Sequence, residues 1–141
     1  MSLATKEDSM GIGGGQARGE TQRRKILLVE DDLHVAETLA ELLELEGFNV
    51  AVVHDAASGL RQAGEVPPDL VLCDLSLPGA LDGHGFARAC RADPALSGLR
   101  LFAVSGYCGA GDRRAAIASG FDELIAKPVD LARIHAAFEP A

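Results

Sequence analysis

The sequence predicts an α/β fold: a five-stranded parallel sheet, doubly wound, with helices on both faces. Three observations predict it. From Lys25 onward, short apolar runs alternate five times with segments of helical periodicity. The apolar runs are nearly continuous, which is typical of strands buried on both faces of a parallel sheet. Glycine or proline stands at several of the junctions between these segments. Because crossover connections are right-handed, the simplest strand order is 2-1-3-4-5.

The first half of the domain contains two strand-helix pairs. Lys25–Val29 is short, apolar and bounded by charge, which predicts strand 1. Residues 33–46 place valine and leucine on one face and glutamate on another, which predicts an amphipathic helix that Gly47 ends. Strand 2 is expected at Phe48–Val53 and helix 2 at Ala56–Gly64.

The second half continues the alternation after a break at Pro67-Pro68. The same patterns of apolar runs and helical periodicity apply there. The expected elements are strand 3 at Leu70–Cys73, helix 3 at about Phe86–Ala92, strand 4 at Arg100–Val104, helix 4 at Asp112–Ser119, strand 5 at Phe121–Ala126 and helix 5 at Asp130–Phe138.

Composition and length set the domain organisation. The 141 residues, 48% of them hydrophobic, suffice for one domain with a real core, expected at residues 23–141. Residues 1–22 show no hydrophobic period and are expected to form a flexible tail, of which Met1–Leu3 resembles an expression remnant. No apolar run or leader suggests a membrane span or secretion, so a cytoplasmic protein without a membrane partner is expected.

Charge is unevenly distributed along the chain. The formal net charge is −8; residues 1–24 carry four basic and three acidic side chains, so the remainder carries nine basic and eighteen acidic side chains, or −9. Such a domain repels phosphate backbones, and no basic stripe offsets the repulsion. Nucleic acid is therefore not expected as a partner. Three cysteines without CxxC spacing suggest neither a disulfide framework nor a zinc site.

Charged and polar side chains follow the predicted strands. They are Glu30-Asp31-Asp32 after strand 1, Asp74 after strand 3, Ser105 after strand 4 and Lys127 after strand 5, while strand 2 contributes only His54-Asp55. The carboxyl ends of parallel strands meet at one edge, and neighbouring strands lie about 4.8 Å apart. We therefore expect these side chains to gather at one edge of the sheet.

The gathered carboxylates need a compensating interaction. Two charges about 4 Å apart repel by roughly 4 kcal/mol at an effective dielectric constant near 20. Raised pKa values, the lysine or a divalent cation could offset this repulsion. Among metals, Mg²⁺ suits oxygen ligands best. Each residue also has an ordinary structural role, such as helix capping by Asp32 or a turn at Ser105, and only their joint placement points to a site.

Four segments of the chain resemble the signature segments of response-regulator receiver domains of two-component signalling. They are Ile26–Asp32, Leu70–Gly79, Ala103–Gly106 and Gly120–Val129, and the resemblance extends from about Arg24 to Ala137. The resemblance implies the flavodoxin-like (βα)5 fold. It also implies a signalling domain, rather than a metabolic enzyme, that catalyses only its own phosphorylation and dephosphorylation.

The resemblance implies a role for each site residue. Asp74 would be the nucleophile that takes a phosphoryl group from a histidine kinase or a histidine phosphotransfer domain. The hydroxyl of Ser105 would turn toward the phosphoryl oxygens, and Lys127 would pair with them. The implied Mg²⁺ ligands are Asp31, Glu30 through water, Asp74 and the backbone carbonyl of Ser76. An unknown downstream protein would bind the face of helix 4, strand 5 and helix 5.

The chain departs from the family pattern at several positions. Leu124 stands where many receivers have an aromatic switch residue, and the turn Gly79–Gly83 is one residue longer than usual. Tyr107 and Ser76 occupy positions that tune dephosphorylation, and the Lys127-Pro128 bond is expected to be cis.

Three other functions remain open on the sequence. A degenerate receiver would act as a binding scaffold without phosphorylation. A haloacid-dehalogenase-like phosphatase also uses an aspartyl phosphate, but it needs a second aspartate where this chain has Ser76. A flavin-binding protein of the same topology would need a phosphate loop after strand 1.

Overall fold

The computed structural model describes residues 23–140, so the tail predicted at residues 1–22 lies outside the described residues. Within these residues, five strands alternate with five helices. In chain order they are β1 (Lys25–Val29), α1 (Leu33–Leu45), β2 (Asn49–Val53), α2 (Ala56–Glu65), β3 (Leu70–Asp74), α3 (Gly83–Ala92), β4 (Leu101–Ser105), α4 (Ala110–Ser119), β5 (Glu123–Ala126) and α5 (Leu131–Ala136). No helix within residues 23–140 is long and apolar enough to cross a membrane.

The strands form one parallel sheet in the order β2-β1-β3-β4-β5, which confirms the predicted order. β3 and β4 are buried along their whole length. One apolar cluster packs α1 and α5 against one face of the sheet, and a second packs α2, α3 and α4 against the other. Burial on both faces explains why the central strands read as unbroken apolar runs.

The register places the carboxyl ends of the strands side by side. Val29, the last residue of β1, pairs with Val53 of β2 and with Cys73 of β3. Asp74 pairs with Val104, so the next residue of β4, Ser105, ends its strand beside the carboxylate. The polar residues at the ends of these strands, or directly after them, therefore share one edge of the sheet.

The observed bounds differ from the predicted ones at both strands and helices. The last strand, β5, begins at Glu123 rather than Phe121, and α5 ends at Ala136 rather than Phe138. α3 begins at Gly83 rather than near Phe86, because Asp82 caps the helix and accepts a hydrogen bond from the Gly85 N–H at 2.9 Å. The first turn contains two glycines and a histidine, which hide the helical period. α4 likewise begins at Ala110, two residues before the predicted start.

Candidate functional site

Three carboxylates gather at the carboxyl edge of the sheet. One oxygen from each of Glu30, Asp31 and Asp74 lies within 4.8 Å of the others. Glu30 and Asp74 are buried, at 4% and 6% exposure, whereas Asp31 is exposed. β1 and β3 are neighbours in the sheet, so residues distant in sequence reach the same point. The result is an acidic cluster that is open to solvent on the Asp31 side.

Lys127 reaches this cluster from the loop after β5. Its Nζ donates to Glu30 Oε1 at 2.9 Å and to Asp74 Oδ2 at 3.2 Å. Burial on its own lowers the pKa of Lys127, but the hydrogen bonds and charges of the two carboxylates outweigh that effect and raise the pKa above its ordinary value. One half-buried cation thus pairs with two buried carboxylates.

The ionised form of Glu30 is disfavoured despite its hydrogen-bond partners. Its Oε2 accepts the Asp32 N–H at 3.1 Å, and its Oε1 accepts from Lys127. Burial raises the pKa of Glu30, and the charge of Asp74 raises it further, while these hydrogen bonds and the Lys127 charge lower it; the net direction is upward. A further cation at this site would favour the ionised carboxylate.

Asp74 is held at both of its oxygens. Oδ1 accepts the Ser76 N–H at 2.9 Å, and Oδ2 accepts from Lys127. The start of α3 packs closely against the same residue. A Cβ atom on Gly83 would lie only 2.5 Å from the Asp74 carbonyl oxygen. Asp74 is thus fixed by its strand, its turn and the following helix.

Ser105 is buried beside the cluster but is bonded elsewhere. Its Oγ accepts the Tyr107 N–H at 3.0 Å, within its own loop. Within residues 23–140, no hydrogen bond joins the Ser105 hydroxyl to Asp74 or to Lys127. The structure therefore places Ser105 at the site without engaging its hydroxyl there.

The remaining predicted positions have local roles. Asp32 caps α1 by accepting the Val35 N–H at 3.1 Å, the ordinary role considered for it. Ser76 lies exposed in the turn after β3. The Lys127-Pro128 bond is cis, as expected. Leu124 is 1% exposed within the core, and Tyr107 is 78% exposed, so its ring lies in solvent.

Two features of the site were not predicted from the sequence. His54 Nδ1 lies 2.9 Å from the Glu30 carbonyl oxygen, a contact that links β2 to the cluster. A cavity of about 500 Å³ opens beside Asp74 between α1 and the loop after β5. It is lined by apolar residues including Val35, Leu39, Leu42, Val104 and Val129. The position of His54 directly after strand 2 was the signal that could have predicted its contact with Glu30. No sequence signal predicts the cavity, because it depends on how α1 packs.

Comparison with known proteins identifies the family. A sequence model of the response regulator receiver domain matches residues 26–139. The chain belongs to the response regulator receiver domain family. It is a receiver domain, a signalling domain, and its strand order and helices are those of the receiver fold.

Relatives that contain a similar domain are longer than this chain. The chain is 39% identical over 109 residues to the DNA-binding response regulator MtrA of Mycobacterium tuberculosis, covering 77% of this chain and 46% of that protein. It is 35% identical over 112 residues to the transcriptional regulatory protein PrrA of the same organism, covering 79% and 47%. The chain spans less than half the length of these relatives.

These relatives correct one expectation. The acidic charge led us to expect no nucleic-acid partner, but relatives of this receiver domain are named as DNA-binding response regulators. The net charge describes the surface of one domain, whereas the match covers 46% of MtrA. The exclusion of nucleic acid was therefore wrong.

Solved structures agree on the fold. A CheY-like response regulator receiver domain protein from Methanospirillum hungatei superposes with a TM-score of 0.71 at 25% identity, covering 82% of this chain and 90% of that one. The receiver domain of a signal transduction histidine kinase from Syntrophus aciditrophicus gives 0.71 at 25% identity, covering 81% and 86%.

Proposed function

We propose that this receiver domain accepts a phosphoryl group on Asp74 from a phosphohistidine of a histidine kinase or phosphotransfer protein. The observation that carries the proposal is the placement of the Asp74 carboxylate. It lies at the end of a buried strand, 3.2 Å from Lys127 Nζ and beside two further carboxylates. A rigid carboxylate nucleophile next to a cation suits phosphoryl transfer, which depends on alignment and charge stabilisation.

The acidic cluster fits a Mg²⁺ ion. Its donor atoms are all oxygens, which Mg²⁺ prefers, and within residues 23–140 no histidine or cysteine belongs to the cluster. Asp31, Asp74 and Glu30 would hold the ion, with Glu30 acting through water and the Ser76 carbonyl as a further ligand. When bound, the ion supplies positive charge to the phosphoryl oxygens.

The protein's own residues then have separate tasks. An Asp74 oxygen attacks phosphorus, the P–N bond to the donor imidazole breaks, and an acyl phosphate forms on Asp74. Lys127, already beside Asp74, pairs with a phosphoryl oxygen. The Ser105 hydroxyl gives up the hydrogen bond that it accepts from the Tyr107 N–H and donates one to a phosphoryl oxygen instead. This exchange changes the loop after β4. Hydrolysis of the acyl phosphate returns the domain to its starting state.

The experiment is phosphorylation by a small acyl phosphate in the presence of Mg²⁺, read by intact mass. We expect one added phosphoryl group on the wild type, none on Asp74→Asn, and none when a chelator removes the metal. Asp55→Asn is the matched control, because Asp55 lies at the same edge but caps α2.

Three outcomes would contradict the proposal. Equal labelling of wild type and Asp74→Asn would reject Asp74 as the acceptor. An unlabelled wild type that binds Mg²⁺ would favour a scaffold without phosphorylation. Continuous release of phosphate from unrelated phosphate esters would favour a phosphatase.

A further inference from the structure

The residue directly after β2, His54, contacts the backbone of the acidic cluster through its side chain. The parallel ladder between β1 and β2 ends with Val29 opposite Val53, and the Glu30 N–H still donates to the Val53 carbonyl at 3.0 Å. The next bond comes from a side chain, because His54 Nδ1 lies 2.9 Å from the Glu30 carbonyl oxygen. The imidazole thus extends the ladder by one hydrogen bond.

The chemistry of this contact assigns the proton. A carbonyl oxygen can only accept, so Nδ1 must carry the hydrogen and donate it. Asp55 cannot replace His54 in this role, because its carboxylate accepts from the N–H and the hydroxyl of Ser58. His54 also lines a shallow cavity with Leu33 and Glu37 of α1. The imidazole therefore lies where β1 turns into α1.

The location of the bond connects it to the site. Glu30 and Asp31 are consecutive, and both place a carboxylate oxygen in the cluster. The peptide whose oxygen accepts from His54 is the one that joins these two residues. A net change in ψ of Glu30 or φ of Asp31, the torsions on either side of that peptide, would move one carboxylate relative to the other and to Asp74. A hydrogen bond to the peptide oxygen restricts such changes.

We propose that His54 is a positioning residue, which fixes the Glu30-Asp31 peptide so that both carboxylates are preorganised for a divalent cation. This inference rests on the proposed function, since it assigns a support to the proposed Mg²⁺ site. Groups that orient metal ligands commonly contribute about 10-fold or more to metal affinity.

The test measures Mg²⁺ affinity by calorimetry, without any phosphodonor, on three variants of the whole chain. His54→Ala removes the donor and is expected to weaken Mg²⁺ binding about 10-fold. His54→Asn keeps an amide N–H at the position of Nδ1 and is expected to restore binding to within about 3-fold of wild type. Asp55→Ala is the control, because it removes the α2 cap next to His54 and should lower stability without changing Mg²⁺ affinity.

A second measurement is independent of the metal. Nitrogen-15 NMR of the metal-free wild type should show neutral His54 protonated at Nδ1. Protonation at Nε2 would overturn the inference, as would equal Mg²⁺ affinities for wild type and His54→Ala. Equal weakening by His54→Ala and Asp55→Ala would reduce His54 to a general structural role and would also overturn it. If the wild type binds no Mg²⁺, the proposed function itself fails. That outcome is distinct from failure of the His54 inference, in which the wild type binds Mg²⁺ and His54→Ala binds it equally well.

Discussion

At the residue scale, Lys127 decides the electrostatics of the site. The cluster has three carboxylates, and Lys127 is the cation that contacts two of them. Glu30 has a pKa above its ordinary value of 4.5 mainly because it is buried, even with Lys127 present. Since the folded state holds this proton more tightly than the unfolded state, the stability contributed by Glu30 is full below about pH 4.5 and is lost as pH rises through the raised pKa.

Replacing Lys127 should enlarge this pH dependence. Lys127→Met leaves two buried carboxylates without their cation, so we expect the free energy of unfolding at pH 7 to fall by about 2 kcal/mol, less than for a fully buried pair because Lys127 is partly exposed. Near pH 4.5 the loss should be smaller, because Glu30, whose pKa is raised, can then bind a proton. Urea unfolding at both pH values, without metal, measures the difference.

The matched control for this prediction is Lys25→Met, which changes an exposed lysine at the start of β1. It should change stability little at either pH. If Lys127→Met lost the same free energy at pH 4.5 and at pH 7, Lys127 would act through packing rather than through charge.

At the element scale, the start of α3 positions the loop that follows Asp74. Gly83 is the first residue of α3, and its N–H donates to the Leu75 carbonyl at 3.3 Å. A Cβ atom there would lie 2.5 Å from the Asp74 carbonyl oxygen and 2.6 Å from Leu75 Cα. Both are backbone atoms, which cannot rotate away as a side chain can. The helix can approach β3 this closely because residue 83 is glycine.

Gly83→Ala should therefore disturb both fold and function. We expect a loss of about 1–3 kcal/mol in the free energy of unfolding, because the helix must move away from β3. Phosphorylation of Asp74 should also be slower, since its strand end and turn shift with the helix. Urea unfolding and timed mass measurements with a small phosphodonor check the two effects.

Gly64→Ala is a control of the same chemical change in α2. A Cβ atom there meets nothing within 4 Å, so we expect a gain of about 0.5 kcal/mol from reduced freedom of the unfolded chain and no change in phosphorylation. A Gly83→Ala protein as stable and as active as wild type would show that the contact relaxes at no cost.

At the scale of the whole molecule, metal binding and folding should be linked. The cluster exists only when β1 and β3 are paired, so the unfolded chain has no comparable site. A ligand that binds only the folded state raises the free energy of unfolding by about 2.7 kcal/mol when its concentration is about 100 times Kd.

Mg²⁺ at saturating concentration should therefore raise the free energy of unfolding of the wild type by about 2–3 kcal/mol. Asp31→Asn should lose most of this increment, because Asp31 is the exposed carboxylate of the cluster. Asp69→Asn, at the opposite end of β3, should keep it. An equal increment in all three proteins would indicate that Mg²⁺ acts at another site or as a general salt.

The sequence by itself determined the architecture and the edge at which the site lies. Alternating apolar runs and helical periods predict parallel strands, and the carboxyl ends of parallel strands must share one edge. Asp74 and Lys127 were therefore predictable as neighbours of Glu30, although they lie 44 and 97 residues away. Charge, by contrast, was a poor guide to nucleic acid, because it describes only the surface of this domain.

Only the tertiary structure decided which atoms meet. Lys127 Nζ bridges Glu30 and Asp74, the His54 imidazole completes the ladder at Glu30, and Gly83 lies against the Asp74 backbone. A sequence pattern reports which face or edge a residue occupies. It does not report side-chain rotamers, the path of a loop or the approach of a helix, because these depend on packing between segments that are distant in the chain.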